Sequence, residues 1–216
     1  MTTLQLAKAH YPVTALGPGT RAGIWTQGCT IGCAGCIAHD TWAADPATEA
    51  DVAVVVSWLA SLPGPVDGVT ISGGEPFQQP AALGELLTGI HCWRGGRDID
   101  ILIYSGYPLS RLQRAAWSAR LLALCDAVVA GPYVRARNTG LRWRGSANQQ
   151  IVPLSTLGAR RYPAGAGQPG AAPKLQVSVQ GDRTYLIGIP HSGDLDRLAG
   201  QLARSGVRVG NVSWRA

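Results

Sequence analysis

Three cysteines, Cys29, Cys33 and Cys36, stand as C-x-x-x-C-x-x-C in a chain of 216 residues. Each iron of a 4Fe–4S cluster takes one thiolate. Three thiolates on one short loop therefore fill three corners and leave the fourth iron open to a small molecule. Catalytic metal sites keep such an open position, whereas structural sites close it. The same stretch carries His39, so a structural Cys3His zinc site from Cys29, Cys33, Cys36 and His39 is the competing reading. A second feature follows at Gly73-Gly74-Glu75-Pro76. Two glycines let backbone approach a ligand closely. Glu75 can accept hydrogen bonds from an ammonium group, and Pro76 fixes the exit of the turn. A closed zinc knuckle needs no partner motif on the next strand; a reactive centre does.

The elements that would position these residues can be read from apolar periodicity. Ala22–Gln27 reads as a strand leading into the cysteine loop. Thr48 resembles the N-cap of a capping box with Asp51, followed by a helix whose Val52, Val55, Val56 and Leu59 share one face and which Pro63-Gly64 ends. Val66–Ser72 is a second strand, ending at the glycine pair. Pro80 can open a helix with Leu83, Leu86, Leu87 and Ile90 inward. Ile99–Tyr104, Asp126–Ala130 and Gln149–Leu154 are further strands, and Leu109–Leu124 is mostly helical. Strand–helix alternation implies parallel strands with right-handed crossovers. A closed eightfold barrel takes about 250 residues, so the expectation is α/β, a partial open barrel over residues 1–154. The motifs at Cys29, Gly73 and Ser105 all follow strand C-termini, the ligand-binding edge of such sheets. Residues 155–174 read as a Gly/Pro-rich linker, with Tyr162–Pro173 a loose loop. Residues 175–216 read as a small α+β appendage: strands Leu175–Val179 and Thr184–Ile189, a helix capped by Ser192, and a last strand Val207–Trp214.

Composition narrows the class. Hydrophobic residues make up 46% of the chain, which suits a packed core rather than disorder. Five cysteines, three of them clustered, do not make a disulfide framework. No run approaches ~20 apolar residues and no secretion signal is legible at the N-terminus, so a reducing cytoplasm is the expected location. The net charge of +6 favours acidic partners. Arg135, Arg137, Arg142 and Arg144 crowd one segment. Basic residues interleaved with aromatics are missing elsewhere, which gives nucleic-acid binding little support.

The cysteine and glycine motifs together resemble the radical S-adenosylmethionine superfamily. Gly17-Pro18-Gly19-Thr20-Arg21, Trp25-Thr26-Gln27-Gly28-Cys29 and Thr41-Trp42 resemble glycyl-radical-enzyme activases. Tyr104-Ser105-Gly106-Tyr107, Asp126 with Gly131-Pro132, and Arg144-Gly145-Ser146-Ala147-Asn148-Gln149 extend the likeness to activators of anaerobic ribonucleotide reductase over roughly Gly17–Pro153. The resemblance implies a 4Fe–4S cluster on Cys29, Cys33 and Cys36. It implies S-adenosylmethionine held through Gly73, Gly74, Glu75, Ser105 and Asn148. It further implies a 5′-deoxyadenosyl radical that takes a hydrogen atom from a glycine of a partner enzyme, with electrons from an acidic flavodoxin or ferredoxin. Ala34 and Ala38 depart from the activase pattern, and the appendage exceeds the short reductase activators. A radical enzyme acting on a small molecule or peptide, and a non-catalytic iron–sulfur or zinc module, are the alternatives. Cys92 and Cys125 stand alone and give no basis for a second cluster.

Overall fold

The computed structural model describes residues 2–163, 175–181, 183–207 and 212. Strand β1 (Thr3–Val13) runs antiparallel to β2 (Arg21–Thr26), and β3 (Glu49–Asp51) pairs antiparallel with β1 at Thr3–Gln5. Helix α1 (Val52–Ala60) leads to β4 (Gly68–Gly73), and α2 (Pro80–Arg94) to β5 (Asp100–Ser105). Helices α3 (Leu109–Arg114) and α4 (Ala116–Leu122) lead to β6 (Ala127–Ala130). Strand β7 (Gln150–Pro153) and helix α5 (Thr156–Arg161) complete the main body. The strand order is β3-β1-β2-β4-β5-β6-β7, with β2, β4, β5 and β6 mutually parallel. The architecture is thus mixed α/β around a mostly parallel sheet.

The parallel strands are apolar on both faces, as strands covered on both sides must be. Ala22, Ile24, Val69, Ile71, Ile101, Ile103 and Val128 meet α1, α2, α3 and α4 in the main core. On the opposite face, Leu102, Ala127 and Val129 pack under Trp143 and Tyr162. The floor of the sheet holds a buried ion pair between the first residues of β2 and β5. Arg21 Nη1 and Nη2 each lie 2.8 Å from Asp100 oxygens, and both side chains are fully buried. Gly68 gives the guanidinium its space, since a Cβ there would lie 2.2 Å from Arg21 Nη1. Tyr162 Oη donates to Asp100 Oδ2 at 2.7 Å.

Several boundaries differ from the sequence reading, each for a physical reason. Thr48 does not cap α1. It belongs to the 3-10 turn Pro46–Thr48 under Asp45, and Asp51 caps α1 by accepting from Ala53 N. Pairing of β3 with the unanticipated β1 holds Glu49–Asp51 extended and delays the helix. The helical stretch before β6 breaks at Ala115, which is extended. Strand β7 runs antiparallel to β6, because residues 131–149 hold one short turn, Arg135–Arg137, and no crossover helix.

The C-terminal part contains a hairpin, β8 (Leu175–Gln180) and β9 (Arg183–Gly188), then α6 (Asp194–Arg204). Gly193, not Ser192, is the N-cap of α6. Most of the strand expected at Val207–Trp214 lies outside the described residues, as do residues 164–174 of the expected loop. The hairpin sits on the sheet face opposite the helices. Ile187, Tyr185 and Ile189 pack with Val13, Leu16, Trp25 and Tyr104. Gln176 accepts from Thr14 N and donates to Pro12 O.

Candidate iron–sulfur site

The cysteine loop leaves the top of β2 and is tied shut at its neck. Gly28 N donates to Thr41 O at 2.8 Å, and Cys29 N to Trp42 O at 2.9 Å. The Gln27 amide donates to Asp40 O and Ala43 O across the base of the loop. Gln79, at the head of α2, donates to Gln27 O and Gln5 O. Neither glutamine was singled out by sequence; both matter because they satisfy backbone that a long loop would otherwise leave bare. Gly32 and Gly35 take positive φ, 61° and 79°, and turn the chain between the cysteines.

The three thiols are half-buried and unbridged. Burial pushes the Cys29 and Cys33 thiols up, and the charge of neighbouring thiols adds to the shift. Backbone N–H groups oppose it: Ile31 and Gly32 point at Cys29, and Tyr133 points at Cys33. Ala38 N donates to Cys36 Sγ at 3.5 Å. Donors aimed at sulfur favour the thiolate that a cluster needs, so the donor set fits an iron–sulfur group. Among the described residues, no three His, Cys, Asp or Glu side chains already converge as a metal ligand set. Neither the three thiols alone nor the Cys3His set is drawn together on one point among the described residues. His39 instead lies 4.5 Å from the Trp42 ring, with both ring nitrogens buried and unbonded. Cys125 is buried and Cys92 exposed, away from the loop.

The glycine pair meets the loop neck directly. Gly74 N donates to Thr26 O, and Glu75 N donates to Gly28 O. A Cβ on Gly74 would stand 2.2 Å from Gly28 O, and one on Gly73 would stand 2.4 Å from Thr26 N. Gly73 also has φ of 105°. The space freed by both glycines is filled by backbone of the cysteine strand and loop.

Glu75 is 1% exposed. Its Oε1 accepts from Ser105 Oγ at 2.9 Å and Phe77 N at 3.1 Å, and its Oε2 from Gly106 N at 2.7 Å. Burial pushes its carboxyl up to about 7, against the pull of the Gly106 and Phe77 N–H groups and Ser105. The sequence placed Glu75 and Ser105 on one rim separately; the fold joins them, and the carboxylate staples the tip of β4 to the tip of β5.

Asn148 reaches the same edge from the segment after β6. Its Nδ2 donates to Pro132 O at 2.8 Å, while its Oδ1 is buried with no hydrogen-bond partner. Gln149 beside it folds the segment, accepting from Gly145 N and donating to Gly131 O. An orphaned buried acceptor costs free energy until a donor arrives. A ligand bearing an ammonium or hydroxyl group would supply one. Asn148 and Tyr133 lie on one segment, so the orphan acceptor and the Cys33 sulfur contact are held by one piece of chain.

A 4Fe–4S single cluster domain family model matches residues 15–152. The anaerobic ribonucleoside-triphosphate reductase-activating protein of Vibrio cholerae is 32% identical over 148 residues, covering 66% of this chain and 94% of that protein. Its Escherichia coli counterpart is 31% identical over 152 residues, covering 67% and 96%. That of Haemophilus influenzae is 30% identical over 148 residues, covering 66% and 94%. With the cysteine loop, the glycine pair and the Asn148 segment gathered on one sheet edge, and near-complete coverage of these relatives, the chain belongs to the family of anaerobic ribonucleoside-triphosphate reductase-activating proteins, built on a 4Fe–4S single cluster domain.

Proposed function

We propose that this chain is a radical S-adenosylmethionine activase that installs a glycyl radical on an anaerobic ribonucleotide reductase. In this reading the sheet is a partial, open barrel, and residues 1–154 are the working core. When bound, a reduced 4Fe–4S cluster and S-adenosylmethionine supply reductive cleavage to methionine and a 5′-deoxyadenosyl radical, which takes a hydrogen atom from the partner's glycine. Cys29, Cys33 and Cys36 would hold the cluster, which would supply an open coordination position for the methionyl end. N–H groups of Ile31, Gly32 and Tyr133 oppose the burial that pushes the Cys29 and Cys33 thiols up, and so favour their thiolate forms. Gly73 and Gly74 present backbone beside the loop neck. Glu75 holds Ser105 and Gly106 in place, so that the β4 and β5 tips form one wall. Asn148 accepts a hydrogen bond from the nucleotide or its ammonium group. The electron comes from an external one-electron donor.

The observation that carries the reading is the buried, unpartnered Asn148 Oδ1 on the segment whose Tyr133 N–H meets Cys33. The test is anaerobic reconstitution with iron and sulfide, then dithionite and S-adenosylmethionine. Methionine and 5′-deoxyadenosine are expected in equal amounts. With the host's own anaerobic reductase added, a glycyl doublet is expected in the electron paramagnetic resonance spectrum. Absence of both products from iron-replete protein refutes the radical reading. Cleavage with no doublet on the reductase moves the target elsewhere. One observation favours a modified target: the family model ends at residue 152, so β8, β9 and α6 lie beyond it.

A further inference from the structure

A glycine within a large enzyme cannot diffuse to a radical; a length of its chain must lie along the sheet to deliver it. Helices α1, α2, α3 and α4 occupy one face of that sheet. On the other face, Trp25 and Tyr104 stand one residue below Thr26 and Ser105 on β2 and β5. Thr26 O accepts from Gly74 N, and Ser105 Oγ donates to Glu75, so the two aromatics lie directly beneath the rim. The hairpin β8–β9 already sits there, its Tyr185, Ile187 and Ile189 sharing one cluster with them. It is held at both ends. Gln176 Oε1 accepts from Thr14 N at 2.9 Å and Thr14 Oγ1 at 3.3 Å, and its Nε2 donates to Pro12 O at 2.6 Å. Past β9, Asn138 Nδ2 donates to Pro190 O at 3.0 Å. Gly140 leaves room for His191, whose Nε2 would stand 1.6 Å from a Cβ there. Asn138 and Gly140 belong to the segment that carries Tyr133 and Asn148, so the C-terminal part straddles the face from β1 to that segment. The seat is nonetheless shallow. Among the described side chains of β8 and β9 only Ile187 is buried, and the Gln176 bonds lie at the exposed surface. Beneath Tyr185, His10 Nε2 is buried without a hydrogen bond, a cost that seating the hairpin imposes.

We propose that β8–β9 is a gate over the substrate face, displaced when the glycine-bearing partner enzyme binds. The proposal rests on the activase reading. Closed, the hairpin fills the face that the partner's chain needs. Open, it uncovers Val13, Leu16, Trp25 and Tyr104, an apolar strip leading to the rim along which that chain can lie. The family model ends at residue 152, so the gate is added to the matched body. A partner that binds only the open form draws the equilibrium toward it, and its measured affinity is reduced by the fraction open. Loosening the seat therefore tightens partner binding by the same factor, the opposite of what a docking platform would do.

The experiment follows anaerobic hydrogen–deuterium exchange of the reconstituted full chain by mass spectrometry, with and without the host's anaerobic reductase, and titrates the reductase by calorimetry. A two-stranded ribbon off its support is marginal in water, so displacement shows as faster exchange across β8 and β9. Reductase binding is expected to raise exchange there while β4 and β5 keep their protection. Gln176→Ala, which removes the bonds to Pro12 and Thr14, should speed hairpin exchange about five- to tenfold and lower the reductase Kd by the same factor. Ile187→Ala, in the middle of the seat, should act in the same direction by about tenfold or more; unchanged β4 and β5 protection certifies the fold of each variant. Val177→Thr with Val179→Thr alters the exposed outer side of β8, where the two valines are 59% and 69% exposed, and should behave as wild type in both measurements. A hairpin that gains protection when the reductase binds overturns the gate, as does a Gln176→Ala protein that binds the reductase equally or more weakly. Weaker binding by the outer-side variant, or no binding by the wild type, overturns it too. S-adenosylmethionine cleavage and the glycyl doublet are read separately: their absence sinks the activase reading, whereas a doublet formed with the hairpin unmoved sinks the gate alone.

Discussion

Replacing Gly74 with alanine tests whether the glycine pair is there to seat the cysteine loop. The added methyl would sit 2.2 Å from Gly28 O, 2.8 Å from Gly28 C and 3.0 Å from Thr41 O. All three are backbone atoms, so no side chain can swing away. The loop neck must retreat by roughly 1 Å to restore ordinary contact. Gly28 O is the acceptor for Glu75 N at 2.9 Å, and Gly28 N donates to Thr41 O at 2.8 Å. Overpacking of this kind costs about 1–3 kcal/mol, and a strained buried backbone hydrogen bond adds about 1 kcal/mol. The expected loss is about 2–4 kcal/mol, or a fall in Tm of about 5–15 °C for a chain of this size. Thermal and urea unfolding of metal-free protein would read it, with iron per chain after reconstitution as a second readout, expected to fall. Gly96→Ala is the control, since a Cβ there meets nothing within 4 Å, and it should stay within about 0.5 kcal/mol of wild type. A Gly74→Ala protein with wild-type Tm and full iron loading would refute the account of the neck.

Asp100→Ala leaves the Arg21 guanidinium buried without its carboxylate; a loss of about 3–5 kcal/mol is expected in urea unfolding. Arg21→Met with Asp100→Leu should recover most of it, and a double variant no better than the single would contradict the desolvation argument. Asn148→Ala should weaken S-adenosylmethionine binding by about three- to tenfold, one hydrogen bond's worth, measured by equilibrium dialysis, with iron loading unchanged. His10 is 4% exposed, its ring 5.5 Å from Tyr185, and burial lowers its pKa. The unfolded chain then takes up a proton near pH 6.5 that the folded chain resists, so His10 contributes stability above that pH that is lost as the pH falls below it. His10→Gln should flatten this acid limb in denaturation curves taken between pH 5 and pH 7; an unchanged limb would assign it to other groups.

The parallel strands were legible because burial on both faces writes them as unbroken apolar runs, such as Ile101-Leu102-Ile103. Helix α2 was legible from Pro80 at its start and the leucines spaced along its inner side. The rim motifs were legible too, because each ends a strand. Strand β1 was missed, since only Leu4, His10 and Val13 along it are buried and the rest carries no clean alternation. That omission displaced the start of α1, whose approach is held by pairing with β1. Helix α5 and the buried Tyr162 fell within or beside a stretch dominated by Gly and Pro. Glu75 reads as a free acceptor in sequence; only the fold brings Ser105 and Gly106 to it. Tyr133 had no sequence signal at all, because its contribution is a backbone N–H that any residue but proline would carry.

The seating of the hairpin on the N-terminal strands ties together partners 162 residues apart, Thr14 and Gln176. Ribosomes add about 5–20 residues per second. The greasy patch formed by Val13, Leu16 and Trp25 therefore waits roughly 10–30 s during translation before its cover emerges. Throughout that interval the segment carrying the cysteines is already made and the patch is bare, so a growing chain offers holdase chaperones a target that the finished molecule hides.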